Sequence, residues 1–522
     1  MGTIGGVRAF LRRQAYAIGV CALALVLRLP GVFNGLPYIR HPDEPVNYRV
    51  FHGMVASRSA LPDFYDYPSL QYDLQAAVHA LVSGAGNLFG LWGSVDALDL
   101  APGRPGANLA LNSEPWVVAR LVTVAVSLIG VAIVVGLATR LSGSRRWGAV
   151  AGVFAAVSGV GIETGFLITP DALAGTLAIA VIAMAMRLHG PGAVAAGRRW
   201  VVITGVLFGL SVGAKYNNGV LAIAIVAAVL LAQPTLRPTA RQLAALTGIA
   251  LATFLLTTPA IVFDLRGFLR GLDRVLDHYS TGHPGYEGNV PASNLRALWG
   301  SDAVAVVLAA FAAITLRRSR PVVLLVGWVL VYFGFTSIAK VHFDRNLTPL
   351  LGAVAVLAAL GGQRLWQFLR TPQPGVARPA AIAATLLVLA PITVLRAGER
   401  FDEVAYQLSD HQAEARSWLA GQIPAGSAVL TDYYSPWLDD GRYVRTDRYF
   451  VAQEPAEAVA AFATTYDAII VTSAGSGRFV NDRSRYPEEA AVVDSLRADA
   501  CDSVRFEDAD GYWVEVYFQR CP

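Results

Sequence analysis

The sequence predicts a polytopic α-helical membrane protein that carries a soluble α/β domain at its C-terminal end. Hydrophobic residues make up 54% of the 522 residues, and charged residues only 15%. The mean hydropathy of +0.47 exceeds that of soluble globular proteins. The apolar runs end before residue 397, and residues 397–522 are charged and aromatic instead. We therefore expect a transmembrane domain over 1–396 and a soluble domain over 397–522.

Eleven apolar runs in the first domain are long enough, or nearly so, to cross about 30 Å of hydrocarbon as helices. They lie at 15–32, 115–139, 147–168, 171–186, 200–214, 217–233, 242–262, 300–316, 321–338, 346–362 and 379–396. The first run follows a basic start but lacks a small-x-small cleavage site. We expect it to be an uncleaved first span, which gives about eleven transmembrane helices.

Arginine placement predicts the orientation of these spans, because cytoplasmic loops collect positive charge. Arginines without any acidic residue occupy alternate segments, at 8–13, 140–146, 187–199, 237–241, 317–320 and 364–378. We therefore expect a multi-pass protein of the cell membrane, with a cytoplasmic N-terminus and an extracytoplasmic C-terminal domain. The net charge of +4 then reflects topology and contact with anionic membrane lipid. No nucleic-acid partner is expected.

The two long outer loops, 33–114 and 263–299, contain segments suited to shaping a substrate groove. Residues 46–57 and 70–81 are amphipathic, so we expect them to lie along the membrane interface. Loop 263–299 is long and polar, which predicts a lid or an acceptor-binding element.

The C-terminal domain alternates helical and strand-like patterns. Helices are predicted at about 402–421, 455–465 and 485–499, and strands at 427–432 and 467–473. This order indicates a small parallel sheet.

A hairpin is predicted at the end of the chain, because Asp510-Gly511 is a turn signal between two strand-like segments. A three-residue loop would set Cys501 opposite Cys521. Cys21, the third cysteine, lies in a span and is interpreted as a small apolar filler. Two cysteines facing each other across an extracytoplasmic hairpin predict a disulfide.

Acidic residues gather on the outer face of the predicted bundle. Asp43 and Glu44 follow the first span within His-Pro-Asp-Glu-Pro, where two prolines restrict the turn. Asp171 follows Thr-Pro between two later spans on the same face. Solvated loop carboxylates and helix caps also occur at such positions. A carboxylate pair beside an apolar body that can hold a lipid tail nevertheless suits the base of a lipid-fed transferase.

Cationic residues lie on the same face. Lys215 and Lys340 are the only lysines of the chain, and both follow predicted outer ends of spans. His342 and Arg345 follow Lys340 closely and form a second cationic cluster. Ammonium and guanidinium groups at the membrane lip suit a lipid phosphate. Snorkelling explains many such cations without a ligand, but Lys215 interrupts the apolar residues 200–233.

Four motifs together resemble the GT-C glycosyltransferases. They are His-Pro-Asp-Glu-Pro at 41–45, Thr-Pro-Asp at 169–171, Ala-Lys-Tyr at 214–216 and His-Phe-Asp-Arg-Asn-Leu-Thr-Pro at 342–349. The chain is similar above all to the bacterial branch related to protein O-mannosyltransferases and lipid A aminoarabinose transferases. The resemblance extends over residues 1–396, and the α/β tail looks like those of some bacterial members. His-Pro before Asp-Glu is also reminiscent of eukaryotic lipid-anchor mannosyltransferases, so the acceptor class stays open.

The resemblance implies a polyprenyl-phosphate sugar as the donor, an extracytoplasmic hydroxyl as the acceptor, and inversion at the anomeric carbon. It implies Asp43 as the catalytic base, with Glu44 and Asp171 as further acidic site residues. The expected ligands of the donor phosphate are Lys215, Arg345 and His342. A divalent cation, Mg²⁺ or Mn²⁺, held by the three carboxylates is an open alternative, since three carboxylates alone do not establish a metal site.

Two other classes are weighed against the transferase. A transporter or flippase for a lipid-linked or anionic solute also needs charges in a cavity, but typically places them at the membrane midplane on broken helices. Here the charges gather at one face. A non-enzymatic scaffold would account for the soluble tail and leave the outer Asp-Glu pair unexplained.

Overall fold

The computed structural model describes residues 2–39, 41–91, 94–101, 108–188, 193–232, 236–370, 395, 411–439, 441–507 and 511–520. The helices of the first domain are Gly2–Arg28 (α1), Asp43–Ser57 (α2), Leu70–Leu88 (α3), Glu114–Ser142 (α4), Arg145–Val157 (α5), Gly159–Glu163 (α6), Asp171–Ala185 (α7), Ala193–Ala214 (α8), Leu221–Ala232 (α9), Leu236–Thr257 (α10), Ala260–Phe263 (α11), Leu265–Thr281 (α12), Val290–Thr315 (α13), Arg320–Ser337 (α14) and Thr348–Arg370 (α15). The predicted boundary between residues 396 and 397 lies outside these ranges.

Seven segments of the described chain are long and apolar enough to cross a membrane. They are Gln14–Phe33, Glu114–Ser142, Asp171–Leu188, Thr239–Thr257, Val290–Thr315, Arg320–Ser337 and Asp344–Arg370. Each coincides with a predicted run, and together they confirm the polytopic helical class. The eleventh predicted run, 379–396, lies outside the described residues apart from Leu395.

The other three predicted runs differ from the helices that the structure shows. Run 147–168 is divided at Ser158, whose non-helical backbone ends α5 and whose hydroxyl accepts a hydrogen bond from the Gly161 N–H to cap α6. Run 200–214 is the C-terminal part of α8, and run 217–233 contains α9. Hydrophobicity alone does not predict the break at Ser158, because capping is decided by single polar side chains.

Two helices form the centre of the bundle. The most apolar stretches of α7 and α15 are 78% buried, against 17–44% for the other five spans. They approach closely at Gly175, where an added Cβ would stand 2.7 Å from the Thr348 methyl group. This contact brings together the N-terminal ends of both helices, which begin at the acidic and cationic motifs of the sequence.

The first outer loop is folded against the bundle. A two-residue ladder pairs Tyr38–Ile39 (β1) with Asn108–Leu109 (β2) in antiparallel orientation. The predicted amphipathic segments are helical and correspond to α2 and α3. The ladder closes the loop on itself, so α2 is held near the point where the chain leaves the first span.

The C-terminal domain contains a five-stranded sheet. Its strands are Ala428–Thr431 (β3), Val444–Asp447 (β4), Ala468–Thr472 (β5), Asp502–Glu507 (β6) and Trp513–Phe518 (β7), in the order β4-β3-β5-β7-β6. Strands β4, β3 and β5 are parallel to one another, and β7 runs antiparallel to both β5 and β6. The predicted parallel strands and terminal hairpin are therefore present, within one mixed sheet. The helices are His411–Gln422 (α16), Ala456–Thr465 (α17), Gly477–Asn481 (α18) and Pro487–Asp499 (α19).

The predicted register of the hairpin is wrong. Glu507 pairs with Trp513 and Asp502 with Phe518, so the connection spans 508–512 instead of three residues. This longer loop sets Cys501 across from Gln519. Cys501 is disulfide-bonded, but Cys521 lies outside the described residues, and its pairing with Cys501 stays a prediction.

Candidate functional site

Asp43 is positioned by the start of α2. The helix begins at Asp43, directly after Pro42. Asp43 therefore lies in the first turn, where the helix dipole stabilises a carboxylate. The Asp43 N–H donates a hydrogen bond of 3.2 Å to Nδ1 of His41. Burial lowers the pKa of His41, so a neutral imidazole that accepts at Nδ1 is consistent with this contact.

The Asp43 carboxylate faces a cation from a distant part of the chain. Arg345 Nη2 lies 2.9 Å from Oδ2, and the two side chains remain 22% and 25% exposed. The Tyr67 hydroxyl donates to the same oxygen at 3.5 Å. Burial alone would raise the pKa of Asp43, but the charge of Arg345 holds it below its usual value. Asp43 is therefore an ionised carboxylate that solvent or a substrate can reach.

Glu44 lies in a different environment one residue later. Its carboxylate accepts two hydrogen bonds from Arg120, at 2.9 and 2.7 Å, and both side chains are about 98% buried. It also accepts the N–H of Ile168 at 3.0 Å, while Asn47 donates to the Ile168 carbonyl at 2.8 Å. These contacts fix the segment that leads into Asp171 against α2.

Asp171 is engaged by the buried lysine. Lys215 Nζ donates to Asp171 Oδ1 at 2.6 Å and to Asn346 Oδ1 at 2.8 Å, and the lysine and aspartate side chains are 7% and 3% exposed. The Asn346 amide in turn donates to the Tyr279 hydroxyl at 3.2 Å. The charge of Lys215 acts on Asp43 and that of Asp171 acts on His41, so both ion pairs belong to one electrostatic cluster.

The cationic motif at 342–345 splits into residues with different surroundings. The Arg345 guanidinium lies over the Phe343 ring at 4.6 Å. This stacking leaves the N–H edge of the guanidinium available for hydrogen bonds. Nδ1 of His342 is buried without a hydrogen-bond partner among the described residues. Lys340 is exposed and contributes a backbone N–H bond to the Tyr279 carbonyl.

The structure does not bring the three candidate metal ligands into one cluster. Asp43, Glu44 and Asp171 each face a different cation, and the described ranges contain no group of three His, Cys, Asp or Glu side chains arranged around a common point. A divalent cation therefore does not fit these residues as they stand, and no chemical step is derived through one.

Three hydrogen bonds to the candidate site residues were not predicted from the sequence: from Tyr67 to Asp43, from Lys215 to Asn346 and from Arg120 to Glu44. Asn346 carries a usable signal, because it follows Arg345 directly within the recognised motif. Tyr67 and Arg120 carry none, since both are brought to the site by tertiary packing over long sequence separations.

The second outer loop borders the site and reaches the C-terminal domain. Helix α12 ends at Thr281, and an isolated bridge pairs Glu287 with Val341 just before the cationic motif. Phe343 contacts the Tyr286 ring at 4.8 Å and stacks on His278 at 5.9 Å. The predicted lid segment thus lies against the residues that hold Arg345.

Comparison with known proteins supports the same assignment of fold. Residues 107–263 match the family described as dolichyl-phosphate-mannose-protein mannosyltransferase. The structure is similar to ArnT from Cupriavidus metallidurans in the apo state, with a TM-score of 0.54, 14% identity, and coverage of 98% of this chain and 100% of that one. No curated protein matches the sequence.

An archaeal enzyme is similar to about the same degree. The Archaeoglobus fulgidus oligosaccharyltransferase in the apo form has a TM-score of 0.52, 13% identity, and coverage of 96% of this chain and 74% of that one. The archaeal oligosaccharyltransferase AglB from Archaeoglobus fulgidus, in complex with an inhibitory peptide and a dolichol-phosphate, has a TM-score of 0.52, 13% identity, and coverage of 96% of this chain and 73% of that one. The chain has the GT-C fold, and the resemblance predicted from its sequence is confirmed.

Proposed function

We propose that this membrane protein transfers a sugar from a polyprenyl-phosphate donor to an extracytoplasmic hydroxyl group, with inversion at the anomeric carbon. The observation that carries the proposal is the accessible Asp43–Arg345 pair beside the buried Lys215–Asp171 pair. It joins a base and two cations at one end of the central helices of a GT-C fold. The dolichol-phosphate in the complex of archaeal AglB supports a lipid phosphate as the common donor element.

Asp43 acts as the base in the proposed reaction. Its carboxylate accepts the proton of the acceptor hydroxyl while that oxygen bonds to the anomeric carbon from the face opposite the phosphate. The bond between the anomeric carbon and the phosphate oxygen breaks, and polyprenyl phosphate leaves with the bonding electrons. The product carries inverted configuration, and no nucleotide is consumed.

Arg345 is the proposed first ligand of the donor phosphate. A guanidinium has five N–H donors, more than the contact with Asp43 uses, and 22% of this side chain is exposed. Charge that develops on the departing phosphate strengthens the contact in the transition state. Lys215 donates two of its N–H groups to Asp171 and Asn346. Its third N–H and its positive charge complete the proposed phosphate site.

His342 supplies a further proposed contact. Its buried Nδ1 has no hydrogen-bond partner in the described part of the chain, and such a group is costly unless a ligand satisfies it. Asp171 fixes Lys215, and Glu44 fixes α2 to the Asp171 segment. We assign both carboxylates positioning roles, and leave proton transfer to Asp43.

The proposed orientation follows the arginine distribution. The N-terminus lies in the cytoplasm, and the site and the C-terminal domain lie outside the cell membrane. Attachment of a membrane-impermeant thiol or amine reagent at single introduced residues would test this. Labelling of the C-terminal domain only after permeabilisation would contradict it.

The function is tested with membranes that contain the protein and a panel of radiolabelled polyprenyl-phosphate sugars. We expect one donor to lose its label to a water-soluble or protein-bound product, and the Asp43→Asn variant to leave it intact. Donor that binds but never releases sugar, while crossing the bilayer, would instead favour a flippase.

A further inference from the structure

The C-terminal domain presents a specific edge of its sheet to the site. Strands β3 and β5 are parallel neighbours, whereas β4 follows β3 in the chain and lies on its other side. The strand order therefore reverses at β3. In open α/β sheets, ligands bind beyond the carboxyl ends of strands at such a point.

The residues at this carboxyl edge are held by hydrogen bonds. Asp432, which follows β3, is 1% exposed and accepts hydrogen bonds from the Val451 N–H at 3.1 Å and the Ser476 hydroxyl at 2.9 Å. Tyr434 adopts a left-handed backbone with φ of 63°, and its carbonyl accepts a hydrogen bond of 2.8 Å from Gln412. A non-glycine residue in this conformation costs free energy, and such strained residues cluster at functional sites.

Three tyrosines form a cluster at this edge. The Tyr433 ring lies 4.1 Å from Tyr434 and stacks on Tyr449 at 4.2 Å. Tyr449 is 50% exposed, so one part of its ring packs on Tyr433 and the rest is open. Charged side chains border the cluster, since Arg448 and Glu454 form an ion pair of 2.9 Å beside it.

Side chains of the C-terminal domain bind the second outer loop. Arg478 is 7% exposed and contacts Nε2 of His283 at 3.0 Å and the Pro284 carbonyl at 3.2 Å. Arg485 bonds to Glu287 at 2.8 Å. These contacts hold the tyrosine cluster over the loop that borders Arg345.

The tyrosine cluster lies within electrostatic reach of the proposed base. Burial raises the pKa of both Tyr433 and Tyr434, and the charge of Asp43 contributes in the same direction. Arg478 connects the two regions, because its guanidinium lies 5.7 Å from the Tyr286 ring and 5.3 Å from the Phe450 ring, which contacts Tyr449 at 4.7 Å.

We propose that Tyr433, Tyr434 and Tyr449 form the acceptor subsite of the transferase and that the acceptor is a carbohydrate. This inference rests on the proposed function and names its acceptor. A pyranose ring has apolar C–H faces that pack on aromatic rings and a rim of hydroxyls that need polar partners. An aromatic surface edged by an Arg–Glu pair offers both.

The position of the cluster argues against the other two acceptor classes. A lipid acceptor would be bound among apolar spans, whereas these tyrosines belong to the soluble domain. A peptide recognised through its backbone pairs with the lateral edge of a sheet, here β4 or β6, whereas the cluster lies at the carboxyl ends of β3 and β5.

The test compares variants of the full-length protein at Tyr449, whose exposure makes it safe to replace. Tyr449→Ala and Tyr449→Leu should each raise the acceptor KM about tenfold or more, while Tyr449→Trp, which keeps a stacking surface, should stay near wild type. Tyr512→Ala, a replacement of a tyrosine 54% exposed in the same domain, serves as the matched control and should change nothing. Hydrolysis of the donor by water should be equal in all of them.

The acceptor class is read from membranes incubated with the radiolabelled donor. The product is separated into polysaccharide, delipidated protein and lipid extract, and the purified protein is tested on an array of immobilised oligosaccharides. Label in polysaccharide, with oligosaccharide binding that Tyr449→Ala weakens, supports the proposal. Label in protein or lipid, or a Tyr449→Ala variant with unchanged KM, overturns it and leaves the transferase intact. A wild-type protein that consumes no donor overturns both.

Discussion

Asp43 and Glu44 are neighbours in the chain, and each pairs with an arginine from a distant part of the bundle. The Asp43–Arg345 pair is a single close contact, with about a quarter of each side chain exposed. The Glu44–Arg120 pair is bidentate and about 98% buried, and Arg120 also donates to the carbonyls of Val32 and Asn34 at 3.1 and 2.7 Å.

This difference in burial supports the different roles proposed for the two carboxylates. A buried pair whose hydrogen bonds are all satisfied cannot exchange partners cheaply, so Glu44 and Arg120 connect α2, α4 and the segment before Asp171. An exposed pair can exchange, because water or a substrate phosphate replaces the lost contact. The outer pair therefore suits chemistry, and the inner pair suits the geometry that chemistry needs.

The largest effect is expected when the outer carboxylate is neutralised. Asp43→Asn should lower kcat about 10²–10⁴-fold, because an amide keeps the shape but cannot accept the acceptor proton. Release of label from the radiolabelled donor measures it. Asp66→Asn, at a carboxylate that is 29% exposed and paired with Arg274, should retain near-wild-type activity, and a similar loss there would break the distinction.

The inner pair should respond in stability. Glu44→Gln leaves the buried Arg120 charge without its partner, which destabilises a protein by about 3–5 kcal/mol. We expect a clearly lower midpoint of thermal unfolding in detergent, and for the protein that remains folded a much smaller loss of kcat than in Asp43→Asn. Asp494→Asn, at an exposed pair with Arg483, should leave the midpoint nearly unchanged. A Glu44→Gln variant that is stable but inactive would indicate that Glu44 takes part in the reaction itself.

Much of this arrangement could be predicted from the sequence, and the reason for the remainder is physical. Hydrophobic runs predict the spans, because the bilayer imposes a minimum length on every segment that crosses it. Short motifs predicted that Asp43, Asp171, Lys215 and Arg345 lie on the same face of the bundle. Which cation meets which carboxylate was not predictable, because that depends on side-chain packing between residues far apart in the chain.

The hairpin shows the same limit on a local scale. The turn signal Asp510-Gly511 predicted its position correctly, but not the loop length that sets register, so the residue opposite Cys501 was wrong. Register depends on where the ladder starts, and one turn dipeptide is compatible with several loop lengths.

A smaller effect is expected on donor binding. Arg345→Ala and Lys215→Met should each weaken binding of a polyprenyl-phosphate sugar about tenfold or more, since a charge-assisted contact contributes about 1.5–3 kcal/mol. Lys340→Ala is the matched control, because that lysine is exposed and lies five residues from Arg345. Lys215→Met should also lower stability by leaving Asp171 unpaired. Unchanged affinity in both site variants would move the phosphate site elsewhere.

The smallest effect, and the most specific, is on pH dependence. The base works only when ionised, so activity falls as the pH drops through the pKa of Asp43. Burial acts to raise this pKa, and the charge of Arg345 keeps it below the usual aspartate value. The acid limb of kcat/KM should therefore lie at low pH in the wild type and move to higher pH in Arg345→Gln, while Arg345→Lys, which keeps the charge, should move it less. Glu44→Gln should leave the limb in place, because Arg345 still faces Asp43 in that variant. An acid limb that moves in Glu44→Gln and keeps its position in Arg345→Gln would reverse the assignment of the two pairs.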